Sequence, residues 1–255
     1  MLNVAIVAGP AIAGVITAAA SAAAVLGIDA LSWLVYAACI ILARAPGSAS
    51  QPRAAAEANT RSGLRIISGS PILLGLLILT LPFFFFYGPV EVALPILVKD
   101  NLHQSAAILG AFWTGFGVGA LIGSVIFGVI RRVPPLRVAL AIIVGWGAAL
   151  AVIPFAGLPG GIVAFALGGL IWAPYPILVA TVLQQQASGR DLTALSAAWT
   201  SMTMLATPLG TAAGGPLVAA VGAPGTLLIS ALATVAIMPV AAIVQRHRQR
   251  LGPDR

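Results

Sequence analysis

Long apolar runs recur along the whole chain, and each is long enough to cross a lipid bilayer. Breaks between the runs give spans near residues 3–21, 25–43, 71–97, 106–130, 137–156, 161–183, 192–219 and 224–244. A helix of about 20 residues rises about 30 Å, which matches the thickness of the hydrocarbon core. The sequence therefore predicts an all-α integral membrane protein, a polytopic bundle of about eight transmembrane helices.

The composition excludes a water-soluble domain and argues against nucleic acid binding. Hydrophobic residues make up 60% of the chain and charged residues 7%, whereas soluble domains carry about 25% charged residues. The net charge of +7 comes from basic residues in the short gaps between apolar runs. They form no basic patch with interleaved aromatic residues, so nucleic acid is not an expected partner. Membrane lipid is.

The distribution of basic residues predicts the orientation of the chain in the membrane. Twelve arginines occupy one alternate set of gaps and the C-terminal tail, and the other set holds only Lys99. Cytoplasmic loops are enriched in Lys and Arg. Both termini are therefore expected on the cytoplasmic side, which agrees with an even number of spans. The abundance of Arg, Ala and Gly favours a bacterial inner-membrane protein.

One long polar stretch, residues 44–70, divides the chain. Two helices precede this linker in residues 1–43, six follow in residues 71–245, and a basic tail occupies residues 246–255. Within the linker, Asn59 to Ser68 can form a short helix on the inner membrane surface, with Arg61 and Arg65 facing anionic headgroups. A flexible, solvated loop is the alternative.

Two spans contain helix-breaking motifs. Pro82 and Pro89 flank a run of four phenylalanines and Tyr87 in the third span, and the sixth contains Trp172-Ala173-Pro174-Tyr175-Pro176. Proline removes a backbone donor and frees the carbonyl four residues earlier, so both helices are expected to be kinked or broken. Transporters place substrates at such midplane interruptions. The alternative is a packing kink without a ligand.

Two helix faces carry a regular pattern. Ala111, Gly115, Gly119 and Gly123 recur every four residues, which predicts a smooth stripe for close helix packing, or a sliding surface during conformational change. The seventh span places six hydroxyl residues on one face, namely Thr193, Ser196, Thr200, Thr203, Thr207 and Thr211. Such a face lines a water-filled pathway, or its hydroxyls bond back to their own helix.

Asp29 and Glu91 are the acids that lie within apolar spans, and a charge inside the membrane usually has a function. Each is a candidate proton or substrate group, although both lie near the outer interface and Asp29 can also cap its helix. The sequence contains no P-loop, metal-ligand cluster or intramembrane catalytic constellation. An enzyme is therefore not expected, nor is a cofactor or bound metal.

Several local motifs resemble the major facilitator superfamily, in particular its drug and siderophore exporters of the macrolide-efflux and enterobactin-exporter type. The segment from Gly9-Pro10 to Gly14 resembles the antiporter motif of the fifth helix, and Ile28 to Trp33 resembles the start of the sixth. The linker then falls where the family joins its two six-helix halves. Residues Gly189 to Leu195 resemble the segment between the tenth and eleventh helices.

The resemblance covers helices five to twelve of the family and includes two departures. The loop at Arg131-Arg132 lacks the acidic residue often found in the conformational-control motif, and the family's first four helices have no counterpart in this sequence. The helix breaks and the hydroxyl face predict that a central substrate pathway is lined by Tyr87, Trp172, Tyr175, Thr200 and Thr203. The resemblance implies that the third, fourth, sixth and seventh spans face this cavity. The spans 25–43, 137–156 and 224–244 are peripheral.

The resemblance implies a secondary active transporter, with proton-coupled efflux of a hydrophobic or amphipathic small molecule by a truncated chain. Alternating access rocks two six-helix halves against each other, so the chain alone is not expected to catalyse coupled transport. The alternative is a non-transporting membrane subunit or remnant that needs a partner chain or an oligomer. Gradient-dependent drug accumulation in liposomes holding this chain alone would contradict the truncation.

We predict that Arg61, Arg131, Arg190 and Arg250 all lie on the cytoplasmic side, because moving so many arginines across the membrane opposes the positive-inside bias. Single cysteines placed at Arg131 and Arg250 should resist membrane-impermeant thiol reagents in intact cells. External labelling at either position would contradict this topology.

Overall fold

The structure is a computed structural model that describes residues 22–42, 53–129 and 134–250, and these ranges contain nine helices and no strand. The helices are α1 (Ala22–Leu42), α2 (Arg53–Gly69), α3 (Pro71–Ile96), α4 (Ala106–Val129), α5 (Pro135–Val152), α6 (Gly157–Trp172), α7 (Pro174–Gln186), α8 (Gly189–Thr203) and α9 (Ala206–Arg250). A π-helical turn extends α3, and a 3-10 turn follows α5. The predicted all-α polytopic fold is confirmed. The expected span 3–21 lies outside the described residues.

Five helical segments in the described part are long and apolar enough to cross a membrane, and the last of them, Gly189–Met238, contains 50 residues. It reverses direction at Gly222, whose φ of 73° and ψ of 171° are not helical. Gly210 lies against Phe85 of α3, yet Ala233 and Ile237 line a cavity with Pro82. A straight helix would place residues 210 and 233 about 35 Å apart. This segment therefore makes two crossings.

A glycine seam joins α4 to α6. A β-carbon at Gly119 would collide with the backbone carbonyl of Ala166, and one at Gly123 would collide with that of Leu170. The contact advances by four residues on both helices, so the two helices run parallel. Gly115 differs, because its nearest neighbours, Ile162 and Ala166, leave room for a methyl group at 3.4–3.6 Å.

A second glycine seam joins α3 to the first part of α9. A β-carbon at Gly210 would collide with the carbonyl oxygen of Phe85, and one at Gly214 would meet Pro89 at 2.9 Å. These helices also run parallel, because the contact again advances by four residues on each. Gly88 completes the seam against the backbone of Thr211.

Helix α3 is not broken at Pro82 or Pro89, although both lie inside it. Of the two expected outcomes, a kink or a break, the break is absent. At Pro89 the neighbouring helix supports the exposed backbone, because the carbonyl of Phe85, which Pro89 leaves without its helical donor, lies against Gly210. The sixth span does divide, since α6 ends at Trp172 and α7 begins at Pro174. Pro174 likewise frees the carbonyl of Leu170, which lies against Gly123.

The linker is helical from Arg53 to Gly69, so in this structure the helical alternative replaces the solvated loop. Its buried face contains Gly63 and Ile67, and Gly63 packs against Ala194 of α8. Arg61 and Arg65 are exposed. Their contact with anionic headgroups stays a prediction.

The bundle core is built from large side chains of α3 to α9, and the largest that are fully buried include Trp146, Tyr175, Phe83, Phe112 and Phe165. Helix α1 contributes nothing to it. Every α1 side chain that the structure describes is exposed, including Trp33 at 64%.

We predict that Gly119→Ala destabilises the bundle and that Gly115→Ala does not. The methyl group at position 119 would collide with backbone, which cannot rotate away, and such overpacking costs about 1–3 kcal/mol. Thermal unfolding in detergent, followed by circular dichroism, should show a lower midpoint for Gly119→Ala. Equal midpoints for the two variants would contradict the seam, because both make the same change on the same helix.

Candidate functional site

The interruption between α6 and α7 places Trp172 beside Tyr87 of α3. Their ring centroids are 6.5 Å apart, with 30° between the planes. Both side chains are partly exposed. Trp172 lies about 21 Å along the helical path from Gln186, and Tyr87 about 24 Å along α3 from Pro71, so both lie deep in the membrane. An aromatic pair of this kind can stack against an apolar ring or a cation.

Tyr175 lies one turn from Trp172 on α7 and is fully buried, at 0% exposure. Its hydroxyl is 2.7 Å from that of Thr80, which donates to the carbonyl of Leu76 at 2.6 Å. Because Thr80 has one proton to donate, Tyr175 acts as the donor between them. The ring packs against Phe83 at 5.0 Å. Tyr175 is therefore a packed midplane residue in this conformation and not the accessible pathway residue that was expected.

The other edge of the Tyr87 and Trp172 pair contacts the interior of the bundle. The ring centroid of Tyr87 lies 5.9 Å from that of Trp146 of α5, and the ring centroid of Trp172 lies 5.9 Å from that of Phe116 of α4. Helix α5 corresponds to a span that was expected to be peripheral, yet it carries a large ring in contact with a pathway candidate. The pair therefore presents one side to the aromatic core and is exposed only in part.

The predicted hydroxyl face is divided between two helices, because Met204 and Leu205 form a turn between α8 and α9. On α9, the Thr207 hydroxyl donates to the Phe84 carbonyl at 3.4 Å, and the Thr211 hydroxyl lies 3.4 Å from the Gly88 carbonyl, so this part of the face packs against α3. On α8, Thr200 is exposed, and Thr203 donates to the carbonyl of Trp199 at 2.9 Å. The structure does not bring Thr200 or Thr203 into the aromatic pair.

Glu91 lies one helical turn beyond Tyr87 on α3 and is exposed. Its Oε2 lies 3.3 Å from the Thr211 hydroxyl, whose single proton has a nearer acceptor in the Thr207 carbonyl at 3.0 Å. Residues four apart on a helix share a face. Glu91 and Tyr87 therefore lie on one face of α3, and the stacking of Tyr87 on Trp172 extends this strip to the end of α6.

The remaining candidates lie apart from this strip. Asp29 is exposed on α1, where its backbone carbonyl accepts a hydrogen bond from Ser32 at 2.7 Å. Gly9, Pro10 and Gly14, the antiporter-like motif, lie outside the described residues. Gly115, Gly119 and Gly123 belong to the α4 and α6 seam described above.

Sequence reasoning missed two sets of buried polar side chains. Thr80 is a lone hydroxyl in an apolar run, and its partner is 95 residues away. Thr226, Ser230 and Thr234 are spaced by four residues and are all buried on the last crossing. Their spacing was a usable signal, but Thr226 and Thr234 bond to carbonyls of their own helix.

Comparison with known families decides the class of protein. A family model described as transmembrane secretion effector, within the major facilitator superfamily, matches residues 1–187 of the 255. The chain belongs to this family. No match was found among curated proteins or among solved structures.

Membership of the transmembrane secretion effector family makes the chain a multi-pass membrane transporter of the major facilitator type. The matched segment ends at the junction of α7 and α8. It therefore includes Tyr87, Glu91, Trp172 and Tyr175, whereas Thr211 lies beyond it.

Proposed function

We propose that this transmembrane secretion effector exports a hydrophobic or amphipathic small molecule in exchange for protons, as an antiporter of the cell membrane. The observation that supports the proposal best is that Glu91 shares a face of α3 with Tyr87, whose ring stacks on Trp172 of α6 with the centroids 6.5 Å apart. An amphipathic ligand needs both parts, because its apolar portion stacks on rings and its polar or cationic portion is attracted to a carboxylate.

Glu91 is the proposed proton group. It is exposed, and it lies one helical turn from Tyr87 on the same face of α3. Loss of the proton creates a charge beside the rings, and a bound cation or polar group compensates that charge. Proton and substrate therefore compete for the same carboxylate, which is the requirement for exchange.

Trp172 and Tyr87 are proposed as the substrate-contacting residues, with Tyr175 in a positioning role. Tyr175 forms a hydrogen bond with Thr80 and packs its ring against Phe83. It anchors the start of α7, and the position of Trp172 depends on that helix junction. Thr200 and Thr203 are retained as pathway residues only through the resemblance of their span to the eleventh helix of the superfamily.

We predict that Trp172→Ala weakens binding of ethidium, a planar hydrophobic cation, by about fivefold to tenfold. Loss of one aromatic partner removes about 0.5–1.5 kcal/mol beyond the apolar area lost. Equilibrium dialysis against the purified chain in detergent measures the affinity. Trp33→Ala is the matched control, because Trp33 is exposed on α1. Equal affinities for the wild type and Trp172→Ala would contradict the substrate site.

We predict that Glu91→Gln weakens ethidium binding by up to about fivefold, because glutamine removes the carboxylate charge that attracts the cationic dye, and one exposed ion pair contributes up to about 1 kcal/mol. The same dialysis at one fixed pH measures the effect. Asp100→Asn, which changes an exposed acid in the π-helical turn, should retain the wild-type affinity.

An unchanged affinity in Glu91→Gln would contradict the proposed contact between the substrate and this carboxylate. Failure of the chain to bind ethidium or other hydrophobic dyes at any pH would argue against export. It would favour the alternative of a membrane subunit that acts with a partner chain.

A further inference from the structure

A lateral groove opens between α4, α5 and the junction of α6 with α7. Its volume is about 400 Å³, within the range of small-molecule sites. Its walls are apolar and include Ile126, Phe127, Ile142, Leu170 and Ile171, and among the residues that the structure describes Arg137 is the one charged residue that lines it. None of these residues belongs to the strip of Tyr87, Trp172 and Glu91, so the groove is a separate feature.

The local sequence explains why the helices separate here. Gly123 holds α4 against the Leu170 backbone, which closes one end of the groove. Beyond this contact, α4 presents the large side chains Ile126 and Phe127. At the same level, the α6 helix ends and Pro174 begins a new helix. Helices α4 and α6 are in backbone contact at Gly123, and beyond it the side chains of Ile126 and Phe127 separate them.

The groove faces the surroundings of the bundle and not its interior. Ile126 is 47% exposed, and Ala141 and Arg137 are also exposed. In a membrane, an apolar groove on the outside of a bundle is in contact with acyl chains. The occupant that meets it first is therefore a lipid.

The single charge lies where a lipid headgroup would be. Arg137 is in the first turn of α5, which begins at Pro135, and the adjoining sequence contains Arg131 and Arg132. The positive-inside distribution assigns this end of α5 to the cytoplasmic interface. Guanidinium groups bind phosphate through paired N–H donors, and basic pockets between transmembrane helices on the cytoplasmic side bind anionic headgroups.

We propose that this groove binds an anionic phospholipid of the inner leaflet. One acyl chain occupies the apolar groove between α4, α5 and α6, and the lipid phosphate pairs with the Arg137 guanidinium. The apolar walls select for an acyl chain, and the lone cation selects for negative net headgroup charge. The inference concerns lipid recognition and does not depend on the proposed efflux activity.

The test is native mass spectrometry of the purified 255-residue chain with added phosphatidylglycerol or phosphatidylcholine of identical acyl chains. The wild type should retain phosphatidylglycerol at least fivefold better than phosphatidylcholine. Arg137→Gln should remove this preference, a loss of about fivefold that corresponds to about 1 kcal/mol at 1.4 kcal/mol per tenfold. Arg190→Gln, which changes an exposed arginine at the start of α8, should retain it.

A second pair of variants tests the apolar part of the site. Ala141→Phe places a ring in the groove and should reduce retention of both lipids about fivefold, whereas Ala148→Phe, two turns along the same exposed face of α5, should not. Equal thermal midpoints for these two variants exclude misfolding as the cause. Excess glycerol phosphate should not displace the phosphatidylglycerol, because it has no acyl chain. Displacement by glycerol phosphate, equal retention of the two lipids by the wild type, or equal losses in Arg137→Gln and Arg190→Gln would overturn the proposal.

Discussion

Backbone-to-backbone contact at glycine is the interaction on which this bundle depends. Lipid is as apolar as a leucine side chain, so the hydrophobic effect does not drive transmembrane helices together. Close approach of two backbones favours association, because it brings many atoms to van der Waals distance and allows Cα–H groups to contact carbonyl oxygens. Gly119 and Gly123 provide this approach between α4 and α6, and Gly88 and Gly210 provide it between α3 and α9.

The prolines and the glycines act together. Pro89 frees the carbonyl of Phe85 and Pro174 frees the carbonyl of Leu170, and each freed oxygen lies against a glycine of the neighbouring parallel helix. An unpaired carbonyl exposed to lipid would cost several kcal/mol. Proline is therefore tolerated at these two positions because a glycine stands opposite. The same two positions adjoin Tyr87 and Trp172. The glycine contacts that cover the carbonyl oxygens freed by proline therefore also position the candidate site.

Much of the fold could be predicted from the sequence, because membrane spans depend on local hydrophobicity. The apolar runs predicted the spans of the described region, and Gly222 marks the reversal that separates the last two. The candidate site could be predicted less well than the fold. Tyr87, Glu91, Trp172 and Tyr175 were identifiable as unusual residues, but local patterns do not reveal which face each one presents. The contact of Thr80 with Tyr175 joins residues 95 apart, and no periodicity indicates it.

The predicted hydroxyl face also shows how far local sequence patterns can predict the structure. Six residues spaced by three and four predicted one continuous helix face, but the turn at Met204 and Leu205 divides it, and its second part packs against α3 through Thr207 and Thr211. Helical spacing identifies a face only while the helix continues. Pro208, in the first turn of α9, is the local signal of a new helix start, because it cannot donate to the carbonyl of Met204.

The glycine seams also have an entropic consequence. A glycine has no side-chain rotamers to lose, so the parallel contacts of α3 with α9 and of α4 with α6 form without the side-chain ordering that leucine or methionine would require. Within the membrane the backbone is already helical before the helices meet, so its conformational entropy has been lost at an earlier stage. Association at these seams is therefore opposed mainly by the loss of each helix's freedom to move and rotate as a rigid rod.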